Sequence, residues 1–92
     1  MDYGAREVDD QGVPNLSSRR QDPSLVALGK ALREIRIEQG ISQEKLALLA
    51  EVDRSYVGRV ERGDNNVAFL TLAALAEALG LKISTLLIHA DL

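Results

Sequence analysis

The 92-residue sequence contains no cysteine, a single histidine and very few aromatic residues, which make up 3% of the chain. Without cysteine, neither a disulfide framework nor a thiolate zinc site can form. The histidine, His89, has no second histidine or cysteine with which to bind a metal or activate a nucleophile. We therefore expect no metal site, no cofactor and no enzymatic activity.

Long apolar runs are also missing. No uninterrupted apolar segment approaches the roughly 18 residues of a membrane-spanning helix, and the N-terminus has no signal-peptide core. We therefore expect a soluble, cytoplasmic protein with no membrane contact. The hydrophobic fraction of 46% comes mostly from aliphatic side chains and suits one small helical domain. A chain of this size has no room for a separate ligand-binding domain, so no small-molecule ligand is expected.

An excess of basic residues is absent as well. The formal net charge is −3, and the sequence after residue 22 holds eight bases against nine acids. A domain that binds nucleic acid is usually basic. A positive surface therefore requires the charges to be separated by face, and non-specific DNA binding is expected to be weak, with a modest salt dependence.

Two short helices around a tight corner are predicted within residues 42–63. Ser42 can cap the first helix with its hydroxyl. Leu46, Leu49 and Ala50 recur three and four residues apart, as the buried face of an amphipathic helix does. Helices this short do not bury enough surface to stand alone, so the pair must belong to a larger bundle.

The second helix of this pair predicts a binding surface. Asp53 can cap it, Val57 and Val60 would be buried, and Gly63 can end it with a positive φ. The side chains left over are Arg54, Ser55, Gly58, Arg59 and Arg62. Arginine can bond guanine edges bidentately, serine can bond bases or phosphates, and a helix N-terminus attracts phosphate. The glycine would let the helix backbone approach a groove. The pattern predicts a recognition helix, about residues 54–62, in the DNA major groove.

These residues resemble the helix-turn-helix of the phage Cro and repressor type, the Xre family. The positions that match the family pattern are Gln43, Leu46, Ala47, Ala50, Val52, Val57, Val60 and the closing Glu61-Arg62-Gly63. One departure is Glu51, where the family commonly has glycine at the corner. A left-handed backbone there would cost about 1 kcal/mol. The bare domain is similar to restriction–modification controller proteins, and equally to small antitoxins and stand-alone phage-type repressors.

The resemblance implies an all-α, compact five-helix bundle, a lambda-repressor-like DNA-binding domain over residues 23–92. It implies a transcriptional regulator that binds a two-fold symmetric operator as a homodimer, with half-sites about one turn, roughly 34 Å, apart. Base contacts are expected from Arg54, Ser55 and Arg59. Contacts to the DNA backbone are expected from Gln43, Tyr56, Arg62, Asn65 and Asn66. The resemblance also implies a buried ion pair between Arg36 and Glu61, and Glu44 stands where family activators touch RNA polymerase.

The remaining helices are expected on either side of this pair. The first begins at Asp22-Pro23 and ends before Gly40, with a buried side of Leu25, Leu28, Leu32, Ile35 and Ile37. The fourth, which stops at Gly80, carries Phe69, Leu72, Leu75, Ala76 and Leu79. Ser84 would cap the last, whose apolar residues are Leu86, Leu87 and Ile88. We expect these three to form the dimer interface; the alternative is that all of them belong to the core.

The N-terminal residues 1–22 are rich in Asp, Gly, Ser and Arg without an apolar period, and are expected to form a flexible tail. Within it, residues 17–20 are either solvated or an arm that touches DNA.

A different class of function is a protein-interaction module, or an antitoxin, that keeps the fold but binds another protein. An acidic or apolar second helix would be its signature. The arginines Arg54, Arg59 and Arg62 argue against it.

Overall fold

The computed structural model describes residues 20–92, and in that range the chain forms five helices joined by short turns. They are α1 (Pro23–Glu38), α2 (Gln43–Ala50), α3 (Arg54–Glu61), α4 (Phe69–Ala78) and α5 (Ile83–His89). The predicted all-α, five-helix fold is confirmed. The predicted tail, apart from residues 20–22, lies outside the described residues, and so does most of the predicted arm.

Two of the helix starts follow the predicted caps. The Asp22 carboxylate accepts a hydrogen bond from the Ser24 backbone N–H at 2.9 Å, and Pro23 occupies the first position of α1, where no backbone donor is needed. The Ser42 hydroxyl accepts from the Lys45 backbone N–H at 3.0 Å at the start of α2. Local side chains thus fix where α1 and α2 begin.

The corner between α2 and α3 has the conformation expected from the family. Glu51 is left-handed, with φ 60° and ψ 44°, although it is not a glycine. The Val52 backbone N–H donates to the Ala47 carbonyl at 2.9 Å and so closes the end of α2. At the far end of α3, Gly63 has φ +79°, and a Cβ there would lie 2.9 Å from the Val26 backbone. Glycine is therefore required at this turn both by φ and by space.

The core lies where α1, α2 and α3 meet α4 and α5. Its largest fully buried side chains are Leu32, Leu46, Leu75, Leu86, Val57 and Val60. Gly29 of α1 lies against the last turn of α3, and a Cβ at this position would lie 2.6 Å from the Glu61 carbonyl oxygen. The missing side chain lets α1 approach the backbone of α3 closely.

Two residues that were predicted to be buried, Ile37 and Leu49, are exposed, and so is the large apolar Phe69. Ile37 is 50% exposed because Arg36 takes the inward position in the last full turn of α1. Leu49 is 49% exposed, and the small Ala47 is buried instead because α2 packs against both α3 and α4. Phe69, the first residue of α4, is 68% exposed at the end of the bundle.

The C-terminal helix also differs from its prediction. The N-cap of α5 is Lys82 and not Ser84, which lies inside the first turn. Leu86 is 0% exposed and belongs to the core, so its predicted place in the dimer interface is wrong. Leu87 is half-buried against the core, whereas Ile88 is 75% exposed.

Within residues 20–92, no single helix is long and apolar enough to cross a membrane. α4 and α5 satisfy the length and composition criteria only as a pair, and they are bent by 87° relative to each other.

Candidate nucleic-acid interface

The two sides of α3 have opposite character. Val57 and Val60 are almost completely buried, at 0% and 1% exposure. Arg54 and Ser55, in the first turn, are exposed, and Arg59 is partly exposed one turn later. The core therefore holds one side of α3 and leaves the guanidinium-bearing side free to meet a ligand.

Three side chains at the start of α3 form a chain of hydrogen bonds. The Ser55 hydroxyl donates to Asp53 Oδ2 at 3.0 Å, and Arg59 Nη1 donates to Ser55 Oγ at 3.3 Å. Asp53 is the N-cap residue, but its side chain makes no capping bond to the α3 backbone. The Arg59 guanidinium also lies 5.7 Å from the centre of the Tyr56 ring, within the range of a cation–π contact. These contacts orient Arg59 before any ligand arrives.

Tyr56 is half-buried beside this group. Burial raises the pKa of its phenol above the usual value, although the Arg59 charge and a hydrogen bond with Thr71 oppose the shift. The phenol therefore keeps its proton at neutral pH. A neutral hydroxyl next to an arginine can donate to an anionic oxygen.

A buried polar network ties α3 to α1 and α2. Arg36 Nε lies 2.6 Å from Glu61 Oε2, and Arg36 Nη2 donates to Glu61 Oε1 at 3.0 Å. Arg36 Nη1 donates to the Ile41 carbonyl at 2.9 Å. Gln43 Nε2, at the first residue of α2, donates to Glu61 Oε1 at 3.0 Å. The structure thus places Arg36 against Glu61 as the resemblance implied, and the Gln43 amide retains a second hydrogen for another acceptor.

Gly58 is covered by side chains of the protein itself. It is buried, and a Cβ there would lie 3.2 Å from Arg62 Nη1 and 3.8 Å from the Gln43 amide. Its missing side chain makes room for two side chains of the protein itself. That it also lets the helix backbone approach a groove stays a prediction.

The turn after α3 carries the remaining predicted contacts. Arg62 is exposed and its Nε lies 3.2 Å from Asp64 Oδ2. Asn66 is exposed, and Asn65 is half-buried with its side-chain oxygen enclosed. Gln21, which sequence analysis placed in the tail, donates through Nε2 to Asp64 Oδ1 at 2.7 Å. No local pattern could reveal this last contact, since the two residues are 43 positions apart.

A short helix, a left-handed corner and a second helix with a free basic side define a helix-turn-helix protein that binds DNA. A helix-turn-helix family model matches residues 32–86, which include α2, the corner and α3. The chain belongs to the Xre-type helix-turn-helix family of DNA-binding transcriptional regulators.

Control proteins are among the curated relatives. Control protein C.SmaI of Serratia marcescens is 40% identical over 60 residues, which cover 65% of this chain and 71% of the relative. Control protein C.BamHI of Bacillus amyloliquefaciens is 37% identical over 60 residues, which cover 64% of this chain and 74% of the relative. Among solved structures, the restriction–modification controller protein C.AhdI from Aeromonas hydrophila matches with a TM-score of 0.66 and 50% identity. That match covers 67% of this chain and 94% of the controller.

Proposed function

We propose that this regulator binds a two-fold symmetric operator as a homodimer, with α3 of each copy in the major groove. The observation that carries the proposal is the free side of α3, where Arg54, Ser55 and Arg59 are presented while the opposite side is fixed in the core. Arg54 and Arg59 read guanine edges, because a guanidinium can bond O6 and N7 together. Ser55 either bonds a base directly or keeps Arg59 in place, as it does in the free protein.

Phosphate contacts would flank this reading surface. Gln43 and Arg62 lie together near the end of α3, where the Gln43 amide donates to Glu61 and both side chains lie over Gly58. The neutral Tyr56 phenol lies on a different side of α3, beside Arg59 and Thr71. Asn65 and Asn66 follow in the next turn, and each of these groups can donate to a phosphate oxygen. Together these groups would set the register of α3 without reading sequence.

The dimer would form through α5. Ile88 is 75% exposed, and Leu87 lies beside it at the edge of the core. An isologous contact of this surface with a second copy would bury it and relate the two α3 helices by a two-fold axis. Their separation would then match one DNA turn, roughly 34 Å.

The relatives favour one setting for this regulator. C.AhdI is a restriction–modification controller protein, and the C.SmaI and C.BamHI relatives are control proteins. We infer that the genes under control belong to a restriction–modification system. Glu44 is exposed in the first turn of α2, and its contact with RNA polymerase stays a prediction.

Selection from a random DNA library at near-physiological salt tests the proposal. The expected result is a two-fold symmetric site with half-sites about one helical turn apart, which competing DNA of unrelated sequence displaces poorly. Equal weak affinity for every duplex would contradict sequence-specific regulation and favour a protein-interaction role. An enriched site without symmetry would contradict the homodimer alone.

A further inference from the structure

Several groups converge on the carboxylate of Asp64, directly after the turn that ends α3. Arg62 Nε lies 3.2 Å from Oδ2 and Arg20 Nε lies 3.8 Å from Oδ1. Gln21 Nε2 donates to Oδ1 at 2.7 Å. The Gln21 hydrogen bond, with smaller contributions from the two arginines, holds the pKa of Asp64 below its usual value, so the group is charged at neutral pH.

The segment that precedes α1 fixes this carboxylate in place. The Gln21 backbone N–H donates to the Gly63 carbonyl at 2.6 Å, and its side chain also donates to the Arg62 carbonyl at 2.7 Å. Gln21 adopts φ 64°, a left-handed conformation that is unfavourable for a residue other than glycine. These bonds satisfy carbonyl groups at the end of α3 and keep Asp64 beside the arginines.

Asp64 and the two arginines differ in their access to solvent. The Asp64 side chain is only 17% exposed, whereas Arg62 is 63% exposed and Arg20 is 52% exposed. The carboxylate therefore lies behind the guanidinium groups, and the guanidinium groups face outward. A phosphate that approached this end of α3 would meet the arginines first.

We propose that Asp64 is an intramolecular competitor of the DNA backbone, a carboxylate that occupies Arg62 in the free protein and must release it to a phosphate. The proposal rests on the proposed function, because it requires Arg62 to contact DNA. Carboxylate and phosphate oxygens accept hydrogen bonds from the same guanidinium donors. Since a phosphate contact is made on any sequence, the competition weakens binding to all duplexes alike.

Charge repulsion between Asp64 and the DNA phosphates would also weaken binding, and the experiment must distinguish it from competition for Arg62. Any acid near DNA repels phosphates through its charge, whether or not it touches an arginine. A competitor acts through Arg62, so its effect disappears when Arg62 is removed. A double-mutant cycle measures this difference, because only coupled residues depart from additivity.

The experiment compares four proteins: the parent, Asp64→Asn, Arg62→Gln and the double variant. Asparagine keeps the shape of Asp64 and an oxygen to which Gln21 can donate. Each protein is titrated with one duplex of unrelated sequence at a fixed low salt concentration. Asp64→Asn should tighten binding by about threefold to fivefold in the parent, the range that an exposed ion pair permits, and by less than about twofold in the Arg62→Gln background.

Glu77→Gln removes an exposed acid on α4 and serves as the matched control, with no comparable gain expected.

Two results would contradict the proposal that Asp64 competes with the DNA backbone for Arg62. Equal gains in both backgrounds would show plain repulsion, and no gain in the parent background would show that the contact does not oppose DNA. In the DNA-free protein, the Arg62 Nε–H resonance should also move on Asp64→Asn substitution, and an unmoved resonance would contradict the contact itself. A parent that binds no DNA would instead defeat the proposed function, so the two failures are distinguishable.

Discussion

Arg36 and Glu61 form a bidentate ion pair between α1 and the last residue of α3. Arg36 Nε lies 2.6 Å from Glu61 Oε2, and the two side chains are only 10% and 2% exposed. Gln43 and the Ile41 carbonyl complete the hydrogen bonding around the pair. This contact joins the end of α3 to α1 and so helps to hold the free side of α3 in its orientation.

Removal of one partner of this pair should be strongly destabilising. Glu61→Gln leaves a buried guanidinium without its counter-charge, and Arg36→Met leaves a buried carboxylate, so each should lower the free energy of unfolding by about 3–5 kcal/mol. The double variant Arg36→Met/Glu61→Leu should lose less than either single variant because no unpaired charge remains. Urea unfolding measures all three. Arg33→Gln, an exposed change on α1, is the control and should stay within about 0.5 kcal/mol of the parent. A Glu61→Gln variant as stable as this control would contradict the role of the pair.

A methyl group on Gly29 should separate α1 from α3. The Cβ of Gly29→Ala would lie 2.6 Å from the Glu61 carbonyl oxygen, and backbone cannot yield as a flexible side chain can. We expect a loss of about 3 kcal/mol or more in the free energy of unfolding. Gly40→Ala makes the same chemical change where the space is open, and should cost only the strain of its φ of +74°, about 1 kcal/mol. Equal losses for the two variants would show that α1 and α3 do not pack as described.

Substitutions on the free side of α3 should separate base contacts from phosphate contacts. Arg54→Ala and Arg59→Ala should each weaken binding to the selected operator by about 1–3 kcal/mol and relax its sequence preference. Arg62→Ala should weaken binding to every duplex and reduce the salt slope by about one. Competition titrations at several salt concentrations measure both effects. Lys30→Ala, at an exposed position of α1, is the control for loss of a positive charge. Parent-like operator affinity in both Arg54→Ala and Arg59→Ala would contradict base reading by α3.

A charge at Ile88 should abolish the proposed dimer without unfolding the chain. Ile88→Glu places a carboxylate on the exposed side of α5, where burial against a second copy would leave it unpaired. Sedimentation velocity should show a monomer, and far-UV circular dichroism should show unchanged helical content. Leu48→Glu makes a similar change at a 70% exposed position of α2 and should remain dimeric. If Ile88→Glu sediments as the parent does, the dimer contact lies elsewhere.

Several features that nearby residues determine were predicted correctly, although the predicted Ser84 cap is wrong and Asp53 makes no capping bond. The caps at Asp22 and Ser42 and the positive φ of Gly63 each depend on a few neighbouring atoms. Arg36 and Glu61 are 25 residues apart, and only the family resemblance suggested that they pair. The same resemblance identified Glu51 as the corner residue.

Predictions that depend on distant packing were less accurate. In a helix of about two turns, periodicity does not decide whether Ala47 or Leu49 faces the core, because that choice depends on where the neighbouring helices lie. The close approach at Gly29 and the contact of Gln21 with Asp64 join residues more than 30 positions apart. The apolar run in α5 could not indicate which of its side chains is buried, and Leu86 was therefore misplaced.

In the proposed complex, α3 reads guanine edges in the major groove of a symmetric site. Methylation interference on the selected operator tests it most directly, because methylation of guanine N7 blocks the major-groove edge that an arginine uses. The expected result is interference at guanines in mirrored positions of the two half-sites, lost at those guanines in the Arg54→Ala or Arg59→Ala protein. Interference confined to adenine N3, in the minor groove, would contradict the placement of α3.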